Sequence, residues 1–275
     1  MRIIADSSCD LYTLDFEDFK TVPLTIYTDE RSFLDDDSLD LKNMLDYLEK
    51  YKGRSYTSCP PIDLWLQAYE GADEIFVMTV TSALSGSYNS ALSAAEMFKE
   101  KNPNVKISII DSLSTGAEEV LALHELKDLI NKGLSFEEVD EKIRAYVHNS
   151  RLFFSFFSIH NLAQNGRVNK TVAAALGVLN IAINGTATAE GTIAVTSKVR
   201  GEKKSLQTLF NDMKKAGYVG GKAIITHVEN EEAAQKLRDL VHSEYPAADI
   251  KIFATRGLCG YYMERRGVVI ACETK

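Results

Sequence analysis

A chain of 275 residues, 45% hydrophobic and 25% charged, is long and apolar enough for one large core or two moderate ones. Its net charge of -8 argues against nucleic acid as a partner, because phosphate binding wants clustered Lys and Arg. No run approaches the roughly 18 consecutive apolar residues of a membrane span, and Asp6 follows Met1 too closely for a secretory signal, so a cytoplasmic location is expected.

Short Val- and Ile-rich runs alternate with helical patterns, the signature of a parallel sheet covered by helices. Residues 2–6, 19–26, 74–80 and 105–111 read as strands, and residues 39–51, 61–69, 86–101 and 115–131 as the helices between them. Ser135 with Glu138 three residues on is a capping box, opening a helix to about residue 148 whose buried stripe is Phe136, Val139, Ile143 and Val147. The texture then changes. Residues 152–159 read as a strand, Gly166-Arg167 interrupts two short helical pieces, and residues 179–184 with 192–197 read as an antiparallel pair. Next comes a helix at 202–216, with Leu206, Leu209, Phe210 and Met213 at helical spacing. A strand at 223–227, a helix at 231–242 and strands at 249–254 and 267–272 close the chain. A boundary is expected near residue 150, giving a larger α/β domain at 1–150 and a smaller α+β domain at 151–275.

Cys9, Cys59, Cys259 and Cys272 have no paired spacing, and the five His residues form no ligand pattern, so neither metal, disulfide framework nor cofactor is signalled. The most informative segment is Thr79-Val80-Thr81-Ser82-Ala83-Leu84-Ser85-Gly86-Ser87, where a buried strand runs into a hydroxyl-rich turn that opens a helix. Helix-start amides lack intrahelical acceptors and sit at the positive end of the macrodipole, so such a turn binds anions. Ser85 and Ser87 can add hydroxyl donors, and Gly86 lets backbone approach a ligand; alternatively, Ser85 is simply an N-cap. Tyr56-Thr57-Ser58-Cys59-Pro60-Pro61 repeats the logic, with two hydroxyls ahead of a helix primed by Pro. In a parallel sheet these loops lie at the carboxyl ends of strands, so they are expected along one edge with Asp6-Ser7-Ser8 and Asp111-Ser112. Asp6 and Asp111 are expected to be structural acceptors of turn amides.

These residues resemble the DegV family in Asp6-Ser7-Ser8-Cys9-Asp10-Leu11, Thr57-Ser58-Cys59-Pro60 and Leu84-Ser85-Gly86-Ser87-Tyr88-Asn89-Ser90-Ala91. Asp111-Ser112, residues 162–168, residues 191–200 and Thr226-His227 continue the family's order, so the likeness covers nearly the whole chain. The resemblance implies a two-domain fold, an N-terminal three-layer α/β domain with a mainly parallel sheet and a smaller α+β domain with a mixed sheet. It implies one long-chain fatty acid held between them. Thr57 and Ser85 would bond the carboxylate, Arg167 would sit near the entrance or support the head-group network, and a fatty acid kinase would be the partner. Three departures stand out. The family's Gly-Gly-Arg is here Asn165-Gly166-Arg167, its Lys-Pro strand pair is Ala182-Ile183, and its Gly-x-His-x-Gly-Pro-Gly is the segment from Gly260 to Gly267, with Tyr262 in place of the His. A Tyr hydroxyl still donates to a carboxylate but brings no positive charge. The stretch Leu152-Phe153-Phe154-Ser155-Phe156-Phe157 is expected to line the tail or to form an ordinary buried strand. Two other readings stay open: a hydrolase with Ser85 as nucleophile, and a binder of another amphiphilic anion.

Overall fold

The computed structural model describes residues 1–169 and 180–274. Strands β1 (Arg2–Asp6), β2 (Phe19–Val22), β6 (Glu74–Thr79) and β7 (Lys106–Asp111) form a sheet of order β2-β1-β6-β7 with every pairing parallel. Both of its faces are covered, as its unbroken apolar runs require. Alternation along each strand sends Ile4, Ile75, Val77, Ile107 and Ile109 to one face, against Trp65 and Tyr69 of α2 (Ile62–Tyr69) and Ala91, Ala94 and Ala95 of α3 (Ser87–Lys101). The opposite face carries Ile3, Ala5, Phe76, Met78 and Ile110 beneath α4 (Ala117–Asn131) and α5 (Phe136–His148).

A mixed sheet follows in the order β10-β9-β8-β13-β11-β12, built from β8 (Ser150–Phe156), β9 (Ile181–Ala187), β10 (Ile193–Arg200), β11 (Lys222–His227), β12 (Asp249–Ala254) and β13 (Val268–Glu273). Only β11 with β12 is parallel in it. One face packs on α4, and the other sends Phe153, Ile225 and Ile270 against α7 (Glu202–Lys215) and α8 (Glu231–Glu244). Helix α4 is thus a middle layer shared by both sheets. Its residues Ala117, Val120, Leu121, Ala122 and Leu123 are all buried, as expected for a helix apolar nearly all round. Residue 150 is where the chain leaves α5 and enters β8, and one buried cluster runs across that point from Ile3 to Ala271.

The expected strand at 19–26 is two strands in different sheets. Pro23 has no amide to extend the ladder, and Leu24 N donates to Ser7 Oγ (3.0 Å) instead. After this break β3 (Thr25–Thr28) joins β4 (Ser32–Leu34) and β5 (Ser55–Ser58) in an antiparallel sheet of order β4-β3-β5. Helix α1 (Leu41–Lys50) is capped by Asp40, which accepts from Asn43 N at 3.0 Å. The capping box of α5 is formed, with Glu138 N to Ser135 Oγ at 3.3 Å and Ser135 N to Glu138 Oε2 at 2.9 Å. The first short helical piece is α6 (His160–Gln164); the second, after Arg167, falls outside the described residues, as does the start of the expected strand at 179. Helix α9 (Gly257–Met263) was not expected, since it is only about two turns long and holds two glycines.

Candidate functional site

The loops after β1, β6 and β7 share the carboxyl edge of the parallel sheet, as expected for that topology. The Thr57 turn does not belong to that edge: it arrives on β5, in the small antiparallel sheet. Period-two alternation puts Ser55 and Thr57 on the face that packs against α9. There Ser55 Oγ meets Tyr261 OH at 2.8 Å, and Thr57 Oγ1 meets Tyr262 OH at 2.7 Å. Ser58, one residue on, faces the other way.

Thr57 and Tyr262 open onto a cavity of about 890 Å³, counted out to its mouth. Ser85 and Arg167 line it as well, so four side chains far apart in sequence meet at one place. Ser58, Gly86 and Ser87 lie outside the lining. Ser87 is fully buried, and its Oγ donates to Asp6 Oδ2 at 2.5 Å. Gly86 has an ordinary backbone (φ -76, ψ 1), and a Cβ there would lie 3.2 Å from Cys59 Sγ. Its missing side chain therefore lets the Thr57 and Ser85 turns approach one another rather than a ligand. Ser85 is not the N-cap of α3, a position held by Gly86; Ser85 Oγ accepts from Ser87 N at 3.2 Å, which leaves its proton to give away.

The rest of the lining is mostly apolar, with Leu152, Phe154, Phe156 and Val269 from the mixed sheet and Leu162 and Met263 from helices, and with hydroxyls at Thr81, Ser114, Thr115, Thr192 and Thr226. The aromatic stretch of β8 divides by period two: Phe154 and Phe156 stack on each other at the cavity (4.5 Å between centroids), while Phe153 points to α7 and α8. Burial pushes the Tyr262 pKa up, with the Thr57 hydroxyl and the Arg167 charge opposing, so Tyr262 is a neutral phenol at physiological pH. Among the described residues no histidine or carboxylate hydrogen-bonds Ser85. His227 accepts from Asn230 N at 3.3 Å through Nδ1, a structural role.

A family model for the DegV family of uncharacterised proteins matches residues 1–275. The chain belongs to the DegV family. A DegV domain-containing protein of Streptococcus pneumoniae is 42% identical over 99% of this chain and 98% of its own length. Among solved structures, a DegV family protein of Eubacterium eligens loaded with heptadecanoic acid superposes with a TM-score of 0.98 at 50% identity, covering 100% of this chain and 99% of that one. The Streptococcus pneumoniae Fatty Acid Kinase (Fak) B3 protein loaded with linoleic acid does so with a TM-score of 0.97 at 42% identity, again over 100% and 99% of the two chains. The α/β architecture with one parallel and one mixed sheet is thus the DegV fold.

Two departures of this DegV chain touch each other. Asn165 Nδ2 donates to Tyr261 OH at 2.9 Å and Asn161 Nδ2 to Tyr261 O at 2.8 Å, while Arg167 Nη1 donates to Asn165 O. Asn165 therefore ties the turn that carries Arg167 to the helix that carries Tyr262. Beneath Ser85, Asp6 accepts from Ser8 N (3.1 Å), Val80 N (3.1 Å), Ser8 Oγ and Ser87 Oγ (both 2.5 Å), which fixes the start of α3 to β1 and β6. Asp111 likewise accepts from Ser82 N and Leu113 N, so both aspartates hold turns. Ser8 Oγ also lies 2.5 Å from Glu119 Oε1, and one hydroxyl proton cannot serve two carboxylates. Burial pushes Asp6 up and Glu119 well up, with the Asp6 charge adding to Glu119, so Glu119 keeps its proton and donates to Ser8. Among the described residues no helix is long and apolar enough to cross a membrane.

Proposed function

We propose that this DegV protein is a cytoplasmic carrier of one long-chain fatty acid. The ligand sits between the units at 1–150 and 151–275, its carboxylate bonded by Thr57, Ser85, Arg167 and Tyr262. The observation that carries this is a single cavity with a hydroxyl-rich, cationic corner and an otherwise mostly apolar wall, in a chain whose relatives of 50% and 42% identity hold heptadecanoic and linoleic acid. Burying about a dozen methylenes at about 0.8 kcal/mol each contributes roughly 10 kcal/mol before association costs, so the tail drives binding and the head sets specificity. A carboxylate buried without donors would be heavily penalised, and the four side chains supply them. The carrier performs no chemistry itself and uses no cofactor or metal. It presents its acid to a separate fatty acid kinase, a reading supported by the name of the 42% identical relative.

Native mass spectrometry of freshly purified protein should find one fatty acid per chain, and titration of the delipidated, folded protein with palmitate or oleate should saturate at one equivalent. Absence of binding to every acid of about membrane-lipid length would sink the proposal. With a neutral phenol at the head group, palmitate affinity should be flat between about pH 6 and 7, below the range in which buried Asp10 titrates. Tyr262→His should introduce a slope, with binding up to roughly tenfold tighter on the low-pH side, where the imidazolium is present to pair with the carboxylate. A steep slope in the unmodified protein, or none in Tyr262→His, would place Tyr262 away from the carboxylate.

A further inference from the structure

Away from the carboxylate corner, the wall contributed by the mixed sheet is apolar with one exception. Pairing aligns Thr226 with Val269 and Val269 with Phe154, so these three side chains form one row across β11, β13 and β8, and all three line the cavity. Thr226 is fully buried, and its Oγ1 has no hydrogen-bond partner. A valine would fill the same space without stranding a hydroxyl.

Beside Thr226 stands Gly116, which also lines the cavity and has a backbone (φ 54, ψ -121) that side chains rarely adopt. A Cβ there would lie 3.1 Å from Asp10 Oδ2, 3.4 Å from Cys259 Sγ and 3.9 Å from Thr226 Oγ1. Three polar atoms thus converge on a notch that only glycine leaves open, and Asp10 Oδ2 is a second buried atom without a partner. The notch disfavours an anion. Burial lifts the Asp10 pKa to about 8, so it keeps its proton at neutral pH, and the charge of buried Asp35 bears on both Asp10 and Cys259. A neutral group that both donates and accepts fits these atoms, whereas a methylene leaves them unpaired.

Building on the fatty acid reading above, we propose that the cavity prefers a long-chain acid bearing a hydroxyl on its chain, seated at Thr226 in the notch over Gly116. The test uses the full-length, delipidated protein with stearic acid and a series of hydroxystearic acids that differ in hydroxyl position. At least one positional isomer should bind the unmodified protein more tightly than stearic acid. The ratio of its affinity to that of stearic acid should fall roughly tenfold in Thr226→Val and be largely kept in Thr226→Ser. Should Thr226→Val fail to fold, the ranking in the unmodified protein decides: stearic acid binding at least as tightly as every isomer overturns the proposal. A ratio unchanged by Thr226→Val at every hydroxyl position overturns it too. Failure of stearic acid and all its hydroxy derivatives to bind would instead overturn the carrier reading itself, and this inference with it.

Discussion

Ser85→Ala and Thr57→Val are each expected to weaken palmitate binding by roughly 1.5–3 kcal/mol, about tenfold to a hundredfold, while binding of the matching fatty alcohol falls far less. The difference follows from charge. A hydroxyl donating to a carboxylate in a desolvated corner is a charge-assisted bond, and its removal leaves an anion short of a donor. The alcohol presents no anion, and its affinity rests on the tail. Thr57 adds a second effect, because its Oγ1 is 2.7 Å from Tyr262 OH and the phenol loses a partner as well. The two substitutions should therefore be non-additive with Tyr262→Phe in the case of Thr57→Val, since those two share a bond, and close to additive in the case of Ser85→Ala. Isothermal titration of the single and double variants with both ligands checks this. Equal losses for acid and alcohol would show that these hydroxyls do not meet the head group.

The sheets and helices legible in the sequence were the ones long enough to show a period. The four parallel strands, the long helices α3, α4 and α5, and the capping box at Ser135 carry their signals within a few residues of one another. Strand β4 has three residues and α9 seven, too short to display a repeat, and the split at Pro23 turns on a hydrogen bond to Ser7 that no local pattern announces. The site shows the same division. Thr57 and Ser85 stood out because hydroxyls clustered before helix starts, and both line the cavity. Ser58 and Ser87 belonged to the same clusters but face elsewhere, Ser58 through strand alternation and Ser87 through its bond to Asp6. The contact of Thr57 with Tyr262 joins residues 205 apart, and that of Asn165 with Tyr261 joins residues 96 apart. Family likeness pointed to Arg167 and Tyr262; the polar notch at Thr226 and Gly116 needed the packing of α4, α9 and β11, which sequence alone does not reveal.

That packing hinges on Arg256, whose removal is expected to have the largest effect on stability. Arg256 is fully buried at the start of α9 and donates through Nη1 to Leu11 O at 2.6 Å and through Nη2 to Asp35 O at 2.5 Å. Its Nε lies 3.6 Å from Asp35 Oδ1, and its guanidinium covers the Tyr12 ring at 4.3 Å. Asp35 in turn accepts from Gly257 N and Leu258 N, both at 2.8 Å, so its carboxylate holds the first amides of α9. Arg256→Met keeps the apolar stem and removes the guanidinium with its carbonyl bonds, leaving a buried Asp35 whose pKa burial already raises and Arg256 alone among charged groups restrains. Breaking such a pair costs about 3–5 kcal/mol. Asp35→Asn should be milder, because an amide oxygen can still take one of the two α9 amides and the guanidinium keeps its two carbonyl partners. The helix so anchored carries Cys259 and Tyr262, so Arg256→Met should also weaken palmitate binding although Arg256 does not line the cavity. Urea unfolding of both variants, with palmitate titration at a temperature where each is folded, measures the two effects. A loss below about 1 kcal/mol in Arg256→Met would mean that the pair contributes little beyond the desolvation it costs, a balance known for buried ion pairs. Unchanged palmitate affinity would mean that the other bonds to α9, among them those of Ser55, Asn161 and Asn165 to Tyr261, hold Tyr262 in place.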